Sequence, residues 1–357
     1  MNVHKATDAY ESWLAKQITI LPADLALKHR QMSASAFFFL RATFYRWMQI
    51  FPEVCGIFAK APKVLGVGDL HVQNFGTWRD VEARLIWGIN DFDETYMLPY
   101  AVDLIRLSVS AHMAVRDAHL SIGAKDDCDA ILDGYCAGLA SGGKPFVLAE
   151  DHTWLRHMVS GELRDPIPFW KKLDSLPRIR GKVPGTAEEA IERLMPAKNL
   201  KYEVAHRVAG LGSLGRERYV GLADYAGSRI AREAKALAPS ACVWVDGGKS
   251  RKIYYQQILD ECVRACDPFV RLKGRWIVRR LAPDCSRVDL ATIPKERDES
   301  RLLRAMGWET ANVHLGTAGA AKSIVRDMDK RDKRWLHEAA EAMLAATLKD
   351  WGVWRKG

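Results

Sequence analysis

No run of apolar residues in this 357-residue chain approaches the roughly 18–20 needed to cross a bilayer. The opening Met1-Asn2-Val3-His4-Lys5 has no apolar stretch of signal-peptide type. These two absences give the expectation of a soluble, cytosolic protein without a membrane partner. Internal repeats and low-complexity tracts are also missing, which excludes solenoids and disordered tails. Cys-x-x-Cys pairs are absent too. The seven cysteines fall at 55, 128, 136, 242, 262, 266 and 285. Their count is odd and their spacing irregular, so neither a disulfide framework nor a zinc site is expected. Cys262 and Cys266, one helical turn apart, read as small buried residues.

What is present is ordinary for a folded protein: 48% hydrophobic and 27% charged residues. At roughly 150 residues per domain the length suggests about two domains or one two-lobed unit. The net charge of +9 favours anionic partners such as nucleotides, nucleic acid or acidic substrates without choosing among them. Alternating signs from Arg326 to Asp332 read as a solvated helix face.

Residues 5–60 read as helical, with a buried helix over the apolar stretch Ala34–Phe51. Short buried strands follow at Val64–Val67 and Arg84–Ile89, each ending in a polar cluster. Val102 to Leu139 is helical again. The proline-rich stretch 160–200 reads as a connection or insertion with an exposed basic loop at Arg178–Lys182. Strands are expected at Val204–Ala209, Arg218–Ala223, Arg229–Ala234 and Trp276–Leu281, with a helix from Lys252 to Cys266. Two long helices, roughly 297–314 and 334–350, close the chain. The domain reading is a helical lobe at 1–160, a connection at 161–200, a strand-rich lobe at 201–282 and completing helices at 283–357.

The chemistry concentrates in two groups. Gly68-Asp69-Leu70-His71-Val72-Gln73-Asn74 follows one strand, and Asn90-Asp91-Phe92-Asp93-Glu94 follows the next. Phosphoryl transfer needs a carboxylate to orient the attacking hydroxyl and oxygen ligands for magnesium. Asp69 suits the first role. Asn74, Asp91 and Asp93 suit the second. His71 reads equally as a substrate contact or a packed loop residue. Arg41 and Arg106 read as buried ion pairs. The second group is Gly210-Leu211-Gly212-Ser213-Leu214-Gly215 between two strands, followed by Lys235 on the next. A glycine hairpin between strands suits backbone amides approaching phosphates, with a lysine one strand later to neutralise them. The acidic partner expected for Lys235 is Glu261, with Glu233 as the alternative.

These residues resemble the bacterial family known as domain of unknown function 2252. The resemblance is carried by Arg30-Gln31-Met32, Phe39-Leu40-Arg41, Gly68 to His71, Asn74-Phe75-Gly76, Asn90 to Thr95, Asp103 to Leu107, Gly210 to Gly215, and Lys235 with Pro239-Ser240. The same residues resemble the aminoglycoside phosphotransferase branch of the protein-kinase-like fold, with Pro99 to Asp103-Leu104 opening a helix. That resemblance implies an α+β, two-lobed fold in which Asp103 braces the catalytic loop. Two departures stand out: Val67 replaces a frequent histidine, and the catalytic and metal motifs precede the glycine loop. The implied fold is therefore circularly permuted, with the helix Leu302–His314 in the place that normally precedes the catalytic loop.

The leading expectation is an ATP- and magnesium-dependent phosphotransferase acting on a hydroxyl of a small molecule or a protein. A second reading is nucleotidyl transfer or another ATP-driven ligation at the same site. A third is a non-catalytic nucleic-acid-binding protein, since a basic chain with twelve tryptophans could stack bases. It is disfavoured because the tryptophans are not interleaved with lysine and arginine in one patch. The sequence leaves the oligomeric state open.

Overall fold

The computed structural model describes residues 1–117, 123–148, 151–160, 165–285 and 299–357. Its architecture is mixed α+β, mostly helical, with small antiparallel sheets. Four helices open the chain: α1 (Val3–Leu14), α2 (Pro22–Ala34), α3 (Ala36–Ala42) and α4 (Phe44–Val54). The single helix expected over Ala34–Phe51 is therefore broken twice. Ser35 is extended and its side chain caps α3 by accepting from the amides of Phe37 and Phe38. Thr43 leaves helical geometry at the second break. Apolar composition marked this stretch as buried but could not register two corners.

Next come β1 (Lys63–Gly66), β2 (Phe75–Arg79), β3 (Leu85–Ile89) and β4 (Tyr96–Pro99). The strand β1 pairs with β4, Gly66 facing Tyr96, while β2 pairs with β3, Phe75 facing Ile89. Segment 67–74 joins β1 to β2, and segment 90–95 joins β3 to β4. The two pairings therefore hold these loops side by side.

The helices α5 (Tyr100–Arg116) and α6 (Ala124–Ser141) follow, where one helical stretch was expected. Val102, Leu104, Ile105, Leu107 and Val109 of α5 are all fully buried. Each such side chain contributes about 1.5–3 kcal/mol relative to exposure. Burial extends around the whole helix, as expected for the central rod of a lobe. The strand β5 (Phe146–Val147) completes a three-stranded sheet with β2 and β3.

The stretch read as a connection contains helices. They are α8 (Pro166–Asp174) and α9 (Gly185–Glu192), while α7 (Thr153–Ser160) lies just before the stretch. Pro166 opens α8 in its first turn and Pro184 sits at the N-cap of α9. Proline is tolerated there because the first helical amides have no partner anyway.

A five-stranded antiparallel sheet follows, in the order β6 (Glu203–His206), β7 (Arg218–Tyr225), β8 (Ser228–Ala236), β10 (Trp276–Leu281) and β9 (Arg271–Lys273). Alternation sorts its residues to two faces. Ala234, Ala236, Trp276 and Val278 pack against α9. Val220, Ala231 and Leu281 pack against Phe169 and Leu173 of α8. Between β8 and β9 lie α10 (Ala241–Val245) and α11 (Tyr255–Glu261). The latter is much shorter than the helix expected over Lys252–Cys266.

The chain closes with α12 (Glu299–His314), α13 (Ala320–Met328) and α14 (Trp335–Trp354). Residues 297 and 298, where the first of these was expected to open, lie outside the described residues. The helices α6 and α12 meet backbone to backbone. A Cβ on Gly134 would sit 1.8 Å from the Arg304 carbonyl oxygen, and one on Gly307 2.0 Å from that of Ile131. Among the described residues no helix is long and apolar enough to cross a membrane.

Candidate functional site

The turn after β1 is fixed from below. Gly68 takes a φ of +83°, a backbone conformation that glycine adopts without strain. Asp103, in the first turn of α5, accepts hydrogen bonds from the amides of Val67 (2.7 Å) and Gly68 (2.8 Å). The His314 Nε2 lies 3.0 Å from Asp103 Oδ2, and Tyr135 Oη lies 2.8 Å from His314 Nδ1. The segment entering Asp69 is thus braced by Asp103, and Asp103 in turn by α12 and α6.

Asp69 extends from this turn toward the strand-rich lobe. Arg106 of α5 donates to its Oδ1 through Nε at 3.0 Å and through Nη2. The same guanidinium donates to the Leu40 carbonyl and lies over the rings of Phe44 and Trp47. Arg106 is fully buried, whereas the Asp69 side chain keeps 20% of its exposure, so one carboxylate oxygen is anchored and the group still reaches the pocket. Its Oδ2 faces Gly212, where an added Cβ would come within 3.4 Å.

Asn74 is held by its amide nitrogen, which donates to the carbonyl oxygens of Asp91 (3.0 Å) and Asp69 (3.4 Å). That orientation leaves Asn74 Oδ1 buried without a hydrogen-bond donor. A buried oxygen in this state is costly unless something polar or cationic meets it.

Asp91 and Asp93 share one cation. The Nζ of Lys235 lies 2.6 Å from Asp93 Oδ1 and 3.2 Å from Asp91 Oδ1. Burial and the neighbouring Asp91 push the Asp93 carboxyl up to about 6, against the pull of Lys235 and Arg216. Arg216 comes from the loop before β7. It reaches Glu94 Oε1 at 3.1 Å and Asp93 Oδ2 at 3.8 Å. Glu94 also accepts from Ser240 Oγ and the Ala241 amide at the start of α10. Burial raises its carboxyl, and Arg216 opposes the rise. Lysine and arginine from the strand-rich lobe thereby clamp carboxylates of the helical lobe.

The glycine segment is not a simple hairpin tip. Leu211–Ser213 forms a 3-10 turn between the paired strands β6 and β7. Leu211 and Leu214 are buried in a cluster with Val3, Met32, Phe39 and Ala42, which pins the turn to the helical lobe. Ser213 Oγ accepts from Arg218 Nη2 at 2.7 Å. Gly210, Gly212 and Ser213 line the pocket that also contains Asp69, Asn74, Asp91 and Asp93. Gly215 lies outside it, beside Leu25 of α2. His71 lines this pocket, buried, with Nδ1 accepting from the Gln73 amide at 3.2 Å. Arg41 lines it too and donates to Gln73 Oε1.

The ion pair expected between Lys235 and Glu261 is not formed. Glu261 ends α11, is exposed, and accepts from Gln257 Nε2 one turn earlier. Glu233 is not the partner either. Its buried carboxylate is taken by three arginines: Arg207, Arg218 at 2.9 Å and Arg279 at 2.9 Å. Burial alone would raise this carboxyl, but the three guanidiniums hold it well below the usual range. The sequence reading missed Arg216, Glu94 and this arginine triad. The adjacency of Glu94 to Asp93 was the only local signal.

Beside the pocket, sharing Asp91 and Gly210, opens a cavity of about 420 Å³ between the sheet, α8 and α11. Seven lysine or arginine residues line it against three aspartates, so its wall suits an anion. Apolar surface is supplied by Phe92, Phe169, Leu173 and Leu281. Chemically, the site joins an oriented carboxylate, a set of hard oxygen donors and a cationic cavity with apolar walls.

Residues 20–145 match the family model described as an uncharacterized protein conserved in bacteria, DUF2252. The matched span holds Asp69, His71, Asn74, Asp91, Asp93 and Asp103, and it ends before the glycine turn and Lys235. No curated protein and no solved structure matches the chain.

Proposed function

We propose that the chain is an ATP-dependent phosphotransferase that acts on a hydroxyl group. The observation that carries this reading is convergence. Asp69, Asn74, Asp91 and Asp93 come from two loops of one lobe, and Lys235 from the other lobe meets them beside a cationic cavity large enough for a nucleotide. In this reading the adenosine occupies the cavity and the phosphates point to the small pocket. The order of parts, with carboxylate loops first and glycine turn and lysine later, favours a kinase-like arrangement with permuted connectivity.

Magnesium fits the donors present. The unpartnered Asn74 Oδ1 and the carboxylates of Asp91 and Asp93 are the residues that would hold it. Bound there, it would neutralise charge on phosphate oxygens. Asp69 orients the acceptor hydroxyl and takes its proton, with Arg106 fixing the carboxylate. Lys235 keeps the two aspartates together and supplies positive charge at the phosphate end. Arg41 and His71 stand at the same wall, where an acceptor would approach.

The test is thermal unfolding with and without ~5 mM magnesium-ATP, with Asp91→Asn as control. A dissociation constant near ~50 µM would add about 2.7 kcal/mol of stability. A magnesium-dependent rise that the control lacks is the expected result. No rise with any nucleotide would reject the reading. Release of pyrophosphate instead of ADP during turnover would replace phosphoryl by nucleotidyl transfer.

A further inference from the structure

On another part of α5, well along the helix from Asp103 and Arg106, a second cluster of side chains meets. His112 of α5, Cys128 of α6 and His337 of α14 each bring a ligand atom to within 4.8 Å of the others. Asp127, next to Cys128, adds a carboxylate whose Oδ1 lies 3.0 Å from His112 Nε2. We propose that His112, Cys128 and His337 form a zinc site that ties α5, α6 and α14 together, with Asp127 beside it.

The distances suit a tetrahedral ion. Cys128 Sγ lies 3.5 Å from His112 Nε2. Nitrogen and sulfur bound to one zinc at ~2.0 and ~2.3 Å stand about 3.5 Å apart. Without a metal, His112 Nε2 faces Asp127 Oδ1 and the Ala124 carbonyl, both at 3.0 Å. A cation would take the place of the proton there.

Two further observations point to a ligand. The Asp127 Oδ2 and the His337 Nδ1 are buried and have no hydrogen-bond partner. Asp127 itself is completely buried. Unpartnered buried polar atoms on neighbouring residues of one cluster need an explanation, and a bound ion supplies it. The other observation is the outer shell. Glu341, one turn after His337 on α14, places Oε1 3.1 Å from His112 Nδ1. The contact is an electrostatic approach and not an aligned hydrogen bond, and a carboxylate at that distance still favours an imidazole that meets a cation through its other nitrogen.

The donor set decides the metal. One thiolate and two imidazoles suit zinc, whereas magnesium and calcium take oxygen ligands. The site is thus chemically distinct from the Asn74–Asp91–Asp93 donors and does not rest on the function proposed above. Its ligands come from positions 112, 128 and 337, so no sequence spacing announces it.

The experiment loads the purified full chain with zinc, dialyses it and measures metal per chain. One zinc per chain is expected, with Cys128→Ala reduced to background. Glu341→Gln should keep the ligands but weaken zinc binding about 10–100-fold in a chelator competition. Cobalt loading of the unaltered chain gives a readout that no variant has to fold for. It should produce a thiolate-to-cobalt charge-transfer band in the near ultraviolet. Zinc at background in the loaded wild-type chain overturns the proposal. So does cobalt bound without that band, or full zinc retention by Cys128→Ala.

Discussion

Two buried carboxylates face cations of the strand-rich lobe and end up in opposite electrostatic states. Glu233 of β8 has a donor for each oxygen, since Arg218 and Arg279 reach Oε1 and Arg207 reaches Oε2. Asp93 shares Lys235 with Asp91 and Arg216 with Glu94, lies near an orphaned amide oxygen, and is pushed toward protonation. Both carboxylates are largely buried, so the contrast is not one of depth. It is one of local charge count. Three guanidiniums around one carboxylate make a saturated clamp that has no need of a further cation. Asp91, Asp93 and Glu94 around Lys235 and Arg216 leave carboxylates in excess of these two cations, a condition that favours a cation from solution. The first cluster holds neighbouring strands of the sheet together, and the second is the one to which the proposed function assigns a ligand.

The largest expected effect tests the uptake cluster. Asp69→Asn should lower turnover by about 10²–10⁴ while the magnesium-ATP stabilisation persists. Turnover followed as ADP release, beside a melting curve of the same sample, separates the two; near-normal turnover would remove Asp69 from its role. Next is the clamp. Glu233→Ala leaves the buried Arg218 and the partly exposed Arg207 and Arg279 without their counter-charge and should cost about 3 kcal/mol in urea unfolding. A loss below ~1 kcal/mol would show the triad to be solvated and the contrast false.

Lys235→Ala comes third. It should abolish most of the nucleotide-induced stabilisation, about 2.7 kcal/mol at a hundredfold excess over the dissociation constant, without unfolding the chain. A variant that still shows the full shift would remove the lysine from the nucleotide site. The smallest effect is a pair of opposite pH slopes. The Asp93 carboxyl lies above its unfolded value of 3.8, so the folded state binds its proton more tightly. Stability is favoured below about pH 4 and falls as pH rises to about 6. The Glu233 carboxyl lies below its unfolded 4.5, so its contribution is present above that value and lost as pH falls beneath it. Urea midpoints of Asp93→Asn and Glu233→Gln across pH 3–7 should flatten these two slopes separately. Identical profiles for both variants would contradict the assigned shifts.

The sheet was largely legible from residue order because its strands alternate between two packed faces. Trp276–Leu281 has the expected bounds, and β7 and β8 extend only a little beyond theirs. The strands β2 and β4 were missed, being short and directly following the polar clusters that drew attention. The helices α8 and α9 were missed because their prolines were read as breakers, when they stand at helix starts. Asp69, Asn74, Asp91 and Asp93 could be named because their residue types and order carry chemistry. Their actual partners could not. Arg106, Arg216 and Lys235 reach them across 37, 123 and 142 or more positions of chain, and no local pattern encodes such pairings. Glu261 failed for the complementary reason: it lies on the expected helix, but the helix ends there and turns it to solvent.

The support beneath Gly68 has a consequence for how the protein is made. Asp103 is steadied by His314, which arrives from a helix more than two hundred residues later. On the ribosome the aspartate turn is synthesised early and its brace late. Sequence-distant contacts of this kind form slowly, because the intervening chain must close first. A nascent chain that has emerged only through the sheet therefore holds every acidic residue of the pocket but lacks the imidazole that fixes their base. Maturation of the pocket is tied to completion of the C-terminal helices, so an interrupted translation product would have the acidic motif without its settled geometry.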